Sequence, residues 1–147
     1  MKKILTLILY IITIQNINAQ KYTKKYIKEA NKIGLEWWGN VNNHEFEAAY
    51  NQLADEIKKQ TSLKDWSKQM SRLMFEFGEN EQRNVKETYF KSEIDGLNDG
   101  FYVIIQYSVM YSKTRNHTEG LLIKQSDKFI WEILEFDYSF QSLKKDN

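Results

Sequence analysis

The chain has 147 residues, 28% charged and 41% hydrophobic, with a formal net charge of +1, no cysteine and no proline. Without cysteine there is neither a disulfide nor a lipid-anchored cysteine, and a near-neutral balance lacks the clustered Lys/Arg excess that nucleic acid demands. Four Trp, nine Tyr and eight Phe supply enough large apolar area for a core without staples.

The N-terminus has the layout of a secretion signal. Lys2 and Lys3 precede an apolar run, Ile4 to Ile14, and a polar stretch closes on Ala19. A membrane-spanning helix needs roughly twenty apolar residues, so this run is too short to span. Cleavage after Ala19 predicts a mature chain starting at Gln20, without a membrane span, in the periplasm or outside the cell. Loss of Lys2 and Lys3 changes the formal charge from +1 to −1, because no acidic residue precedes Gln20.

Residues 20–147 read as one α+β domain: helices in the first half, strands in the second. A first helix is predicted from about Thr23 to Trp38, with Tyr22, Tyr26, Ile33 and Trp37 near one stripe and "GNVNNH" from Gly39 ending it. Phe46, Ala49, Tyr50, Leu53 and Ile57 describe the face of a second helix. The third begins at Ser62, whose spacing to Asp65 is that of a capping box, buries Leu63, Trp66, Met70, Leu73, Met74 and Phe77, and stops at Gly78. After Arg83 the period alternates. Strands are predicted at Asn84 to Glu93, Phe101 to Ser112, Thr118 to Lys124 and Phe129 to Tyr138, joined by short turns as a meander.

Two strands raise a question about the sheet's second face. In the stretch Phe101 to Ser112 one face is apolar throughout, Phe101, Val103, Ile105, Tyr107, Val109 and Tyr111. The other carries Tyr102, Ile104, Gln106, Ser108, Met110 and Ser112, too polar for core and too apolar for an ordinary solvated face. Tyr102, Ile104, Gln106 and Met110 are therefore the candidate ligand or interface residues. The last strand has apolar residues on both faces, so something is expected to cover the second face: another copy of the chain in a homodimer or, failing that, the C-terminal "SFQSLKKDN". A cavity walled by aromatics and Met would instead hold a small apolar ligand.

The order of several residues resembles the bacterial exported family called domain of unknown function 4019. "WWGNVNNHEFEAAY" places Trp37 and Tyr50 at its two aromatic positions; Trp66, Gly78 and Arg83 follow. "DGFYVIIQYSVMY" supplies Asp99, Gly100, Tyr102, Val103, Tyr107 and Tyr111, and Glu119 and Trp131 close the pattern. His44 stands where the pattern has Gly, and Asn42 where it has aspartate; both residue types tolerate left-handed backbone geometry. The resemblance implies the cone-shaped fold of nuclear transport factor 2, or the related cystatin-like arrangement, with three N-terminal helices on one face of a curved four-stranded antiparallel sheet. That superfamily includes pocket enzymes, small-ligand binders and dimerising modules.

Two histidines, His44 and His117, are too few for a metal centre or a nucleophilic triad, and no cofactor is expected. His117 and Glu119 alternate onto one strand face, where a carboxylate can orient an imidazole. Tyr107, Tyr111 and Glu119, with Asp137 in reserve, have the makings of a proton-transfer set of the isomerase or dehydratase type. The favoured reading is plainer. His117 and Glu119 sit at the solvated mouth of the "SKTRNH" turn, with Glu119 paired to a neighbouring strand's Lys or Arg, and the tyrosines pack in the core. Arg83 is expected to anchor the helix-to-strand junction on a nearby carboxylate or carbonyl. Trp37, Trp66, Trp131 and Gly100 are structural. The basic stretch "KYTKKYIK" reads as the solvated first turn of the first helix. A non-enzymatic binding or dimerising module is the leading functional expectation.

Overall fold

A computed structural model describes the backbone of residues 2–143 and the side chains of residues 21–143. The expected leader, residues 1–19, lies outside the described side chains. Helix α1 (Lys2–Asn42) is followed by α2 (Phe46–Asn51), α3 (Asp55–Gln60) and α4 (Leu63–Phe77), then by strands β1 (Asn80–Lys91), β2 (Tyr102–Tyr111), β3 (Thr114–Gln125) and β4 (Trp131–Ser142). The strands form one antiparallel sheet in the order β1-β2-β3-β4, the expected meander.

Helix α1 does not end at Gly39. A glycine inside a helix costs about 1 kcal/mol, and burial of the flanking Trp37, Trp38 and Val41 outweighs it. The turn is made instead at His44, which takes a left-handed φ of 62°. The expected second helix is interrupted, so among the described residues four helical segments replace three. Ile133 of β4 donates its N–H to Gln52 O (2.9 Å) and accepts from Ala54 N–H (2.8 Å). This parallel bridge draws residues 52–54 out of helical geometry and ties α2 and α3 to the sheet's edge.

Helix α4 follows its sequence signals. The Ser62 hydroxyl oxygen accepts from the Asp65 backbone N–H (3.2 Å) and donates to the Asp65 carboxylate (2.7 Å), which satisfies one of the helix's free donors. Trp66, Met70, Met74 and Phe77 are buried. Gly78 ends the helix at φ 83°, where a Cβ would collide with the Ser112 hydroxyl.

Strand β2 keeps the predicted phase: Val103, Ile105, Tyr107, Val109 and Tyr111 are buried, and Gln106, Ser108 and Met110 are exposed. Its first residues depart from it. Phe101, expected in the core, lies before the strand and is 40% exposed, whereas Tyr102, expected on the open face, is buried and donates its hydroxyl to Asn98 O (2.6 Å). The loop that carries Asn98 also holds Gly100, whose N–H bonds Ser92 O (3.1 Å).

The two-faced apolar pattern of β4 has a geometric cause. Ile123 faces Ile133 but Leu122 faces Glu135, so Leu134 is an extra residue. Such a bulge reverses the phase. Trp131 and Ile133 before it, and Phe136 and Phe140 after it, consequently all pack on the core side. Nor do residues 139–142 fold back over the sheet; they lengthen β4, with Ser139 opposite Thr118 and Ser142 opposite Thr114.

Candidate functional site

The inner face of β2 and β3 holds a polar cluster inside an aromatic cage. Arg83 on β1 reaches past β2 to Glu119 on β3, its Nε donating to Oε2 (2.9 Å) and its Nη2 to Oε1 (3.1 Å). Nη2 also donates to the Tyr111 hydroxyl (2.7 Å), which stands 2.9 Å from Glu119 Oε1 and 3.3 Å from Asn42 Oδ1 at the end of α1. The guanidinium lies 4.4 Å from the centroid of the Trp38 ring. Both charges are desolvated: the Arg83 side chain is 7% exposed and that of Glu119 is 0%.

His117 completes the cluster. A left-handed Asn116 (φ 51°) marks a bulge between Arg115 and Thr118, so Thr114 and His117 turn to the same side and Thr114 Oγ1 meets His117 Nδ1 at 3.0 Å. The ring stacks on Phe140 (5.5 Å between centroids) and meets Phe77 edge-on (4.4 Å). Its Nε2 is 3.6 Å from Glu119 Oε1.

These positions correct the solvated-mouth expectation. His117 and Glu119 are 2% and 3% exposed, because the turn is confined to Ser112 and Lys113 and β3 already begins at Thr114. Arg83 does not anchor the helix junction on Glu79 or Glu81; its carboxylate partner is Glu119. The expectation that Glu119 pairs with a strand Arg is met, but in the core. Asp137 lies on the opposite face, over Gly120, where a Cβ would strike its carboxylate. It is therefore no reserve for a site built on Glu119.

Burial shapes the protonation states. It raises the Glu119 carboxyl, against the opposing pull of Arg83 and Tyr111, and it raises both Tyr107 and Tyr111 above the ordinary phenol range. Burial, with Arg83 nearby, depresses His117 to about 4, so the imidazole is neutral at pH 7. The carboxylate is held on both oxygens by Arg83, while the neutral His117 bonds Thr114 through Nδ1 and leaves its buried Nε2 without a hydrogen-bond partner among the described residues. The buried Tyr107 hydroxyl and the Trp38 Nε1 likewise find no hydrogen-bond partner among the described residues.

Trp37, Trp66 and Trp131, read as structural, are all buried. Trp37 is fully buried and donates Nε1–H to Ala49 O (3.1 Å), Trp66 lies 6.3 Å from it, and Trp131 donates to Glu29 (3.1 Å). Sequence reasoning missed Trp38, Thr114 and Phe140 around the cluster. The paired "WW" and the apolar residues beyond Tyr138 were the available signals.

The outer face is different in kind. Cross-strand rows place Tyr89, Ile104, Leu122 and Glu135 side by side, then Glu87, Gln106, Gly120 and Asp137, then Asn84, Ser108, Thr118 and Ser139. A shallow cavity of about 390 Å³ opens there over Ile104, Gln106, Gly120 and Leu122, between Lys86 and Asp137. A second depression, about 260 Å³ and mostly apolar, lies between α4 and β4, lined by Leu53, Ile57, Trp66, Met70, Leu73 and Phe136. Among the described residues no group of His, Asp and Glu could hold a metal ion, and no helix is long and apolar enough to cross a membrane.

Fold and cluster define an α+β protein in which helices cover one face of a four-stranded antiparallel sheet and close over a buried Arg–Glu–Tyr network. The chain belongs to the family described as protein of unknown function (DUF4019), whose model matches residues 33–136 and so takes in Arg83, Tyr111, His117 and Glu119. No curated protein matches the chain.

Proposed function

We propose that this is an exported, non-enzymatic module of the bacterial envelope that works as a homodimer joined through the outer face of its sheet. One observation carries the reading. Between Ile104 and Met110 on β2, and between Thr118 and Leu122 on β3, the outward residues carry no charge, while Glu87, Glu135 and Asp137 stand on the flanking strands. Interface cores are depleted of charge and ringed by polar residues, and a two-fold contact sets one such patch against its own copy. Export rests on Lys2, Lys3, the apolar run and Ala19, and N-terminal sequencing of protein from the cell envelope should begin at Gln20. The arrangement of α1 across the sheet is in keeping with a cone of the nuclear transport factor 2 or cystatin type.

Light scattering tests the dimer. The wild type is expected at twice the monomer mass, and Ile104→Lys with Met110→Lys at the monomer mass; a wild type monomeric at high concentration refutes the reading. A small apolar ligand is the second reading, favoured by the depression between α4 and β4. Native mass spectrometry of protein purified from the envelope reports both, as a doubled mass or a retained ligand. An isomerase or dehydratase site would need a Tyr and a free carboxylate facing one cavity, whereas Arg83 holds both oxygens of Glu119.

A further inference from the structure

One end of the domain collects exposed apolar side chains from three separate elements. Tyr22 on α1 is 56% exposed, and Phe101, before β2, is 40% exposed; at the β3–β4 turn Phe129 is 80% and Ile130 55% exposed. They are one place. Tyr26, a turn after Tyr22, stacks on Phe101 (5.0 Å) and meets Trp131 (5.8 Å), while Gln125 N–H bonds Phe101 O (2.8 Å) and Ser126 N–H bonds Ile130 O (2.8 Å).

Phe129 is the most telling of the four. Its φ is 60°, a left-handed conformation that is unfavourable for a bulky side chain and easy for glycine. A residue that strains the turn and buries almost nothing adds little to the fold. Its large apolar ring is kept at the tip for something outside.

The surroundings select a lipid surface as the occupant. Lys21, Lys28 and Lys32 recur at helical spacing along an exposed side of α1, with Lys25 between them paired to Glu29 (3.7 Å), and Lys128, next to Asp127, adjoins Phe129. Aromatic side chains that enter the headgroup region beside lysines that meet anionic headgroups are the composition of membrane-surface contacts. The apolar run Ile4 to Ile14 lies just upstream; on the export reading proposed above, on which this step rests, it would bring this end of the chain to the bilayer.

We infer that this end of the domain, led by Phe129 and Ile130 and backed by the α1 lysines, docks on an anionic membrane surface. The inference is independent of the homodimer, which uses the outer sheet face.

The absence of native cysteine makes the test direct. Full-length protein carrying Ile130→Cys, labelled with an environment-sensitive fluorophore, is mixed with phosphatidylglycerol/phosphatidylethanolamine vesicles or with phosphatidylcholine vesicles; Ser71→Cys, exposed on α4 and away from the proposed dimer face, serves as the comparison label. The label at 130 should shift to the blue on anionic vesicles, less on neutral ones and less at high salt, while that at 71 stays in a watery environment. Adding Phe129→Gly should cut the shifted fraction roughly tenfold. Glycine suits the left-handed turn, so that loss should come with unchanged thermal stability. Sedimentation of the protein with vesicles while the label at 130 stays in water would mean that only the N-terminal run inserts, and would overturn the inference. So would a shifted fraction indifferent to Phe129→Gly, or no binding at all.

Discussion

Alternate residues of β2 look into two different environments. Inward, Tyr107 and Tyr111 meet Arg83, Glu119 and His117 beneath α1, where Arg83, Tyr111 and Glu119 bond one another out of reach of solvent. Outward, Ile104, Gln106, Ser108 and Met110 stand on a surface with room above it. The contrast teaches that polarity alone does not mark a working surface. The most chemically suggestive residues of the chain are the ones whose geometry closes them off, and the bland outer side is the one free to meet something.

The largest effect that would break this contrast lies inside. Arg83→Ala leaves the Glu119 carboxylate buried without its partner, and loss of one member of a buried pair costs about 3–5 kcal/mol. Urea unfolding should show that fall, and a change below about 1 kcal/mol would mean that the pair is solvated. Arg83→Met combined with Glu119→Leu, which removes both charges together, should recover most of the loss.

Much of this frame is legible in the sequence, because it depends on local signals: the phase of β2, the cap of α4 at Ser62, the stop at Gly78. What escapes depends on neighbours. The pairing of Arg83 with Glu119 spans 36 residues, and no local pattern announces it. The bulge at Leu134 is invisible to an alternation count, and it turned a one-sided strand into an apparently two-sided one. A two-residue turn in place of a six-residue one moved His117 from water into the core, and the break at Ala54 follows from a bridge to Ile133 that helical periodicity cannot reveal.

A pH titration sharpens the inner side next. His117 stays neutral in the fold down to about 4, while an ordinary histidine takes up a proton near 6.5. Between these values the unfolded chain binds the extra proton, so stability falls as pH drops from about 6.5 to 4. Glu119 works the other way: with its carboxyl raised in the fold, acidification favours the folded state and softens the fall. His117→Gln should therefore flatten the acid limb of the urea midpoint plotted against pH. An unchanged limb would assign the acid sensitivity elsewhere.

A smaller effect probes the seam between α1 and β2. A Cβ on Gly34 would stand 2.7 Å from the Tyr107 hydroxyl oxygen. Gly34→Ala should cost about 1–2 kcal/mol, the crowding being partly offset by alanine's better helix propensity. In a Tyr107→Phe background the same change should cost clearly less. Equal costs in both backgrounds would show that the hydroxyl is not what glycine accommodates.

The smallest effect on stability is expected outside, and there it separates folding from association. Met110 is 54% exposed and stands beside Gln82 and Ser108. Met110→Lys therefore removes little buried area, and should change the unfolding free energy by no more than about 0.5 kcal/mol, as for most surface substitutions. If two copies pair through this face, the same lysine is desolvated twice, once from each copy, within the contact. A charge buried without a partner is expensive, so the dimer should weaken by far more than the fold. Unfolding and light scattering on one sample should then disagree, with an unchanged monomer and a lost dimer. A variant whose stability and mass both stay at the wild-type value would leave the outer face as mere surface, and the contrast between the two sides of β2 would reduce to burial alone.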